Sequence, residues 1–205
     1  FTVKFFEAGS NRFPKSVNDK AAVLTSAKDK SVTDIKNEFD NEFSISGLPG
    51  FAVDSARDAV ALAQETFDEV TQTFADVAEA SAELAYSTRN LVAEVDDLLQ
   101  SPSELSQRLL DSFALTDAAF SKAEEKASAY GAFFQFGEDS AEIITGTPIR
   151  DQEKKNQDQF NNFMRRVAAV NAADTAQAGD YASFQDAEKK REEITAVIEE
   201  QIRES

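Results

Sequence analysis

The sequence has no cysteine, no histidine and no tryptophan. Without cysteine there is no disulfide framework, and thiols say nothing about redox compartment. Without histidine or cysteine, zinc, haem and most transition-metal sites lose their usual ligands. The Ser–His and Cys–His routes to nucleophilic catalysis are lost with them. A carboxylate-only site stays open, but no residues single one out, and no Gly-rich phosphate loop, nucleophile elbow or metal motif occurs. The reading is therefore of a non-enzyme with no catalytic residues, no cofactor and no metal.

Glycine and proline are scarce, at 7 and 4 of 205 residues, while alanine is frequent. That composition favours helix, and 41% hydrophobic residues argue for a packed chain rather than a disordered one. No apolar run approaches the roughly 20 residues that a membrane-spanning helix needs. Positive charge is short as well: 21 basic against 38 acidic residues leave a net charge of −17. Such a chain is repelled by nucleic acid and anionic membranes unless its basic residues cluster.

What is present is a seven-residue apolar repeat. Val53, Val60, Phe67, Phe74, Ser81, Thr88 and Val95 form one column. Ala56, Ala63, Val70, Val77, Leu84, Leu91 and Leu98 form the other, three residues on. These are the a and d positions of a heptad, and neither proline nor glycine interrupts them from Phe51 to Gln100. One helix over 51–100 would rise about 75 Å at 1.5 Å per residue. A chain of this size has a radius of gyration of only roughly 17 Å. The a/d face must therefore pack against other helices of the same chain or join another chain. The flanking e and g positions are mostly small or neutral (Gln64, Thr66, Thr71, Thr73, Ala78, Ala80, Ala85, Ser87). A two-stranded coil would more often carry opposite charges there, so the pattern favours a bundle of three or more helices. The candidate interaction face is Val60, Phe67, Val70, Phe74, Val77, Leu84, Leu91 and Leu98.

Around this repeat the pattern predicts about five helices, over 17–44, 51–100, 102–145, 148–177 and 183–204. Residues 1–7 (FTVKFFE) alternate like a strand. A lone strand is unstable, so 1–13 reads as the end of a β domain in a longer protein, with a helical domain over 14–205. In the first helix Val17, Ala21, Leu24, Val32, Ile35, Phe39 and Phe43 form an apolar ladder that Lys28 interrupts midway. Ser46-Gly47-Leu48-Pro49-Gly50 reads as a tight interhelical turn. Ser101-Pro102-Ser103-Glu104 reads as a capping box with proline in the first turn, making helices two and three an extended hairpin. Tyr130, Phe133, Phe134 and Phe136 beside Gly131 and Gly137 predict a bend with an aromatic cluster. Gly146-Thr147-Pro148 reads as a helix stop followed by a cap. The fourth helix carries Phe160, Phe163, Met164, Val167 and Val170 as its stripe. The fold class is mainly α: an extended helical hairpin or bundle with one N-terminal strand.

Acidity concentrates over 51–100, with eleven Asp/Glu against Arg57 and Arg89. That pattern suits a solvated outer face or a docking face for a basic partner. Basic residues gather only at Arg150, Lys154, Lys155, Arg165 and Arg166, diluted by Asp151, Glu153 and Asp158. This reads as surface ion pairing rather than a nucleic-acid site.

Several landmarks, in order, resemble the DNA-circularisation (DNA-circulation) proteins of Mu-like phages and prophages. They are FTVKFFEAGSNRFP at the start, GLPGF at 47–51, LLQSPSEL at 98–105, TPIRDQEKKNQ at 147–157, MRRVAAVNAA at 164–173 and YASFQDAEKKREEI at 181–194. Each is short and none is mechanistic, but together they span essentially the whole chain. The resemblance implies the central helical part of a tail-module protein, made in the bacterial host cytoplasm and placed in the virion at the tail or baseplate. It also implies homo-oligomers and neighbouring tail and baseplate proteins as partners, and no catalytic motif to carry over. The family name implies DNA circularisation, yet the charge makes direct nucleic-acid contact by this chain unexpected. The expected function is a structural tail or baseplate-hub component acting in assembly. The alternatives are a protein that circularises or binds phage DNA ends, and a tail assembly chaperone absent from the virion.

Overall fold

The structure, a computed structural model of the chain, describes residues 20–74, 77–178 and 189. Among these residues it is helical throughout, with no strand. The strand expected over 1–7 and the helix expected over 183–204 lie outside the described residues. The helices are α1 (Lys20–Glu42), α2 (Gly50–Phe74), α3 (Ala78–Ala93), α4 (Val95–Leu99), α5 (Pro102–Ala118), α6 (Ala123–Gly131) and α7 (Pro148–Ala178).

α7 is the spine, about 46 Å long for its 31 residues. α1, α2 and α6 pack on it, α3 packs on α2 and α5, and α5 returns to α1. The predicted stripe of α7 is what its neighbours cover: Phe160, Phe163, Met164 and Val167 are buried, and Val170 is half-buried. Two aromatic groups fill the interior. Phe39 meets Phe43 at 4.9 Å and Phe163 at 5.0 Å between ring centroids. Phe67, Phe113 and Phe133 form a triangle with edges of 4.8–5.1 Å. Such tilted and edge-on contacts add about 0.5–1.5 kcal/mol per pair beyond area burial.

The single helix expected over 51–100 does not form. It is divided into α2, α3 and α4, and α3 folds back along α2. Magnitudes explain the break. Ending a helix forfeits about four intrahelical hydrogen bonds, each with a net worth of about 0.5–1.5 kcal/mol. Burying Phe67, Val70, Leu84 and Leu91 gains about 1.5–3 kcal/mol apiece, and all four are at most 1% exposed. In a straight rod the two halves of the stripe could not cover each other. At the break Val77 is extended (φ −105°, ψ 96°), and its N–H donates to Ala119 O at 3.2 Å, anchoring the reversal to the end of α5. The column residue Thr88 is fully buried, and its hydroxyl reaches back to Asp68 Oδ1 of α2 at 3.3 Å.

The helix expected over 102–145 is also divided, into α5 and α6, followed by turns over 132–140. The bend at Gly131–Gly137 forms as the aromatics suggest, with Tyr130, Phe133 and Phe136 buried. Gly137 sits at φ +76°, where a methyl group would run into the Asn161 side chain. The helices flanking the Ser101–Pro102 corner, α3 and α5, pack on each other as the expected hairpin requires, and a second reversal joins α2 to α3. Ser101 stands at the N-cap of α5 and Pro102 enters its first turn, but Ser101 makes no side-chain cap bond. Glu104 N–H bonds to the Ser101 carbonyl instead, at 2.9 Å. Lys28 does not interrupt α1, because its ammonium pairs with Asp174 at 2.7 Å.

α1 is tied to the start of α5 by Asp40. Its carboxylate accepts from Lys36 Nζ at 2.6 Å and from Ser106 Oγ at 2.5 Å, and Lys36 also donates to Ser103 Oγ at 2.9 Å. Burial pushes the Asp40 carboxyl up, but the hydrogen bonds from Lys36, Ser106 and Ser103 and the Lys36 charge outweigh it. Its pKa falls below the usual carboxylate value. A depressed folded-state pKa gives stability that is complete above the unfolded value, about 3.9, and is lost as pH falls through the folded one.

Two outcomes follow. Phe67→Ala should lower the unfolding free energy by about 3–5 kcal/mol in urea titrations, because α3, α5 and the 132–140 turns cannot all close on the void. Asp40→Asn should cost about 1–2 kcal/mol at neutral pH. Its deficit relative to the parent should shrink below about pH 4, where the parent carboxylate protonates too; a deficit independent of pH would contradict this.

Candidate functional site

The sequence points first to the heptad face, and the structure places most of it in the chain's own interior. Val60, Phe67, Val70, Leu84, Leu91 and Leu98 are buried, Val77 is half-buried, and Phe74 ends α2 with its side chain outside the described set. Of the two coverings the pattern allows, helices of the same chain cover the residues described here. Most flanking positions share this: Ala80 is buried and Gln64, Thr66, Thr71, Ala85 and Ser87 are half-buried, whereas Thr73 and Ala78 are exposed.

The basic cluster of α7 is spent inside the chain. Arg150 pairs with Glu153 at 2.8 Å and lies over the Phe51 ring at 4.4 Å. Lys154 pairs with Asp158, Lys155 with Glu42, and Arg166 with Glu38. Arg165 Nε donates to Phe136 O at 2.7 Å, holding the turns after α6 against α7. Elsewhere Arg57 bridges Asp96 and Asp54, and hydrogen bonds to those carboxylates hold it still more firmly protonated.

Polar groups converge at one end of the bundle, where the α1–α2 turn, the start of α2 and the first turns of α7 meet. Asn156, buried on α7, donates through Nδ2 to Ser44 O at 2.8 Å and accepts from Ser44 N–H at 3.1 Å. It thereby imitates a backbone pair, and Gln152 Nε2 donates to the same Oδ1 at 2.9 Å. The buried Glu153 carboxylate accepts from Ser55 Oγ at 2.7 Å while holding Arg150. Thr147 caps α7 through its hydroxyl, which accepts from Arg150 N–H at 3.3 Å, and Asp151 accepts from Gly146 N–H at 2.9 Å. At the other side of the core, burial and then Asp117 raise the Tyr130 phenol, whose O–H donates to Asp117 Oδ1 at 3.2 Å. These groups clamp helices together; among the described residues only Glu125 Oε2 is a buried side-chain polar atom without a hydrogen-bond partner.

The surface features of this end were not found from the sequence. Phe51, Ile144 and Ile149 are exposed there, Ile144 at 83%. A groove of about 480 Å³ runs between α2 and the 140–144 run, with Ala59, Leu62, Ile143 and Ile144 among its walls. The available signal was the Ile143-Ile144 pair between Gly137 and Gly146, which a continuous helix to 145 obscures. Among the described residues no group of three or more acidic side chains is placed to hold a metal ion. Among the same residues no helix is long and apolar enough to cross a membrane.

Asn156→Ala should cost about 1–3 kcal/mol in thermal or urea unfolding, because Gln152 and the Ser44 backbone lose their partner together. Hydrogen exchange should report faster opening of the 43–49 turn than of α3; uniform loosening would argue against a local clamp.

Comparison of the chain with protein-family models, with curated proteins and with solved structures found no match in any of the three.

Proposed function

We propose that this chain is a structural component of a phage tail near the baseplate hub and acts in tail assembly through the outer surface of its helical bundle. The observation that carries the proposal is where the landmarks of the Mu-like DNA-circularisation family fall in the fold. GLPGF spans the α1–α2 turn, with Gly47 at φ +75° and Phe51 under Arg150. LLQSPSEL covers the end of α4 and the start of α5. TPIRDQEKKNQ holds the Thr147 cap, Glu153 and Asn156, and MRRVAAVNAA holds the buried stripe of α7. The resemblance thus rests on residues that brace corners and fill the core, as befits a scaffold.

Charge favours protein partners. The α7 cations are engaged within the chain, whereas Asp58, Glu65, Glu69, Glu79 and Glu83 stand exposed on α2 and α3. That surface disfavours phosphate backbones and suits neighbouring proteins. With the heptad columns largely in the core, assembly would use the exposed faces of α2 and α3 rather than the a/d seam.

Antibody labelling of purified particles, viewed by negative-stain electron microscopy with tail ends scored, tests the proposal. Label confined to one tail end is the expected result. Unlabelled particles, with the protein abundant in the lysate alone, would replace it by an assembly chaperone or a DNA-handling factor.

A further inference from the structure

Residues 141–145 (Ala-Glu-Ile-Ile-Thr) run without helix, turn or bend between the turns after α6 and the cap of α7. Glycines with positive φ bracket the stretch, Gly137 at +76° and Gly146 at +117°. Among the described residues its backbone makes a single contact of hydrogen-bonding range, from Gln157 Nε2 to Ala141 O at 3.5 Å, which is marginal. The N–H groups of all five residues thus have no partner among the described residues, like the edge of a sheet. Beside them lies the groove of about 480 Å³, its apolar part made by Ala59 and Leu62 of α2 with Ile143 and Ile144. Ile149 is exposed at the start of α7, and Phe51 at the start of α2, beneath Arg150.

The charged groups of this groove are unequal. Asp58 and Glu142 line it with no hydrogen bond or ion pair among the described residues. Arg150, the cation at its edge, is already committed to Glu153 and Phe51, and Glu153 is closed off by Ser55 and Arg150. The free charge presented to an incoming group is negative.

From this juxtaposition we propose that residues 141–145 and the adjoining groove bind an extended, basic segment of a partner protein, which adds as a strand alongside them. Unpaired backbone supplies register and direction, as in strand addition generally, while alternate side chains of the guest enter the groove. Apolar residues at every second position would lie over Ala59, Leu62 and Ile143, with Lys or Arg between them to meet Asp58 and Glu142. A helical guest would leave the unpaired backbone unused. A second copy of this chain, at −17, brings acid to acid across the same face. Anionic membranes and nucleic acids are disfavoured for the same reason.

The test uses the whole chain and a fluorescent peptide of about eight residues alternating lysine with valine, against a glutamate–valine control. The lysine peptide should bind, weaken with added salt, and confer hydrogen-exchange protection on residues 141–145. Ile144→Ser, which removes apolar surface without adding charge, should weaken binding at least about ten-fold, and because Ile144 is exposed its thermal unfolding should match the parent. Glu142→Lys should weaken the lysine peptide and improve the control. No binding, equal binding of both peptides, protection confined to other segments, or indifference to both variants would each overturn the proposal. So would self-association or vesicle binding that Ile144→Ser abolishes, since the face would then belong to a second copy or to a lipid surface.

Discussion

One constraint shapes the bundle: the apolar stripe of α2 and α3 is buried against helices of its own chain. The reversal between α2 and α3 answers that constraint, and the remaining helices follow from it. Once α3 lies along α2, the Phe67 ring points into a space that α5 and the turns after α6 must close, which Phe113 and Phe133 do. The outer side of α2 then meets α7, and α1 completes the other flank through Phe39 and Phe163. Each step buries side chains worth about 1.5–3 kcal/mol, against connections that give up only a few marginal hydrogen bonds.

Local signals were legible where the chain must do something stereochemically particular. Gly47 and Gly146 adopt positive φ at the expected turns, Thr147 caps α7, and α7 begins where Pro148 permits it. The stripe of α7 was legible because its 3.6-residue period has a single side to hide. The reversal between α2 and α3 was not legible, because the sequence there carries neither glycine nor proline. Its residues are compatible with helix, and only the tertiary gain from doubling back selects the break. The same holds at 119–122, where continuing α5 would carry the aromatic cluster away from Phe113. Of the exposed end, the sequence offered Ile143 and Ile144, which read equally well as helix core.

The polar interior shows how these elements hold their positions. Asp40 with Lys36, Ser103 and Ser106, Asn156 with Ser44, and Glu153 with Ser55 each link segments far apart in sequence. A hydrogen bond of this kind contributes only about 0.5–1.5 kcal/mol net, less than a buried phenylalanine. Its greater effect is to penalise alternatives, since sliding α1 or α2 by one turn along α7 would strand a buried carboxylate or amide. Apolar burial sets how stable the bundle is, while these clamps set its register.

The heptad and its flanks also bear on how such patterns are read. An a/d seam alone fits a dimer or a folded monomer equally well. The e and g positions favour the folded monomer: they are mostly small and uncharged, and Thr66, Thr71, Ala80, Ala85 and Ser87 are half-buried or buried, while Thr73 and Ala78 are exposed. Small flanks let α2 touch α3 on one side and α7 on the other. When a helix has spent both sides of its apolar face within its own chain, what remains for partners is its acidic outer surface and the ends of the bundle. A search for this protein's contacts therefore belongs on surfaces that the heptad pattern does not mark.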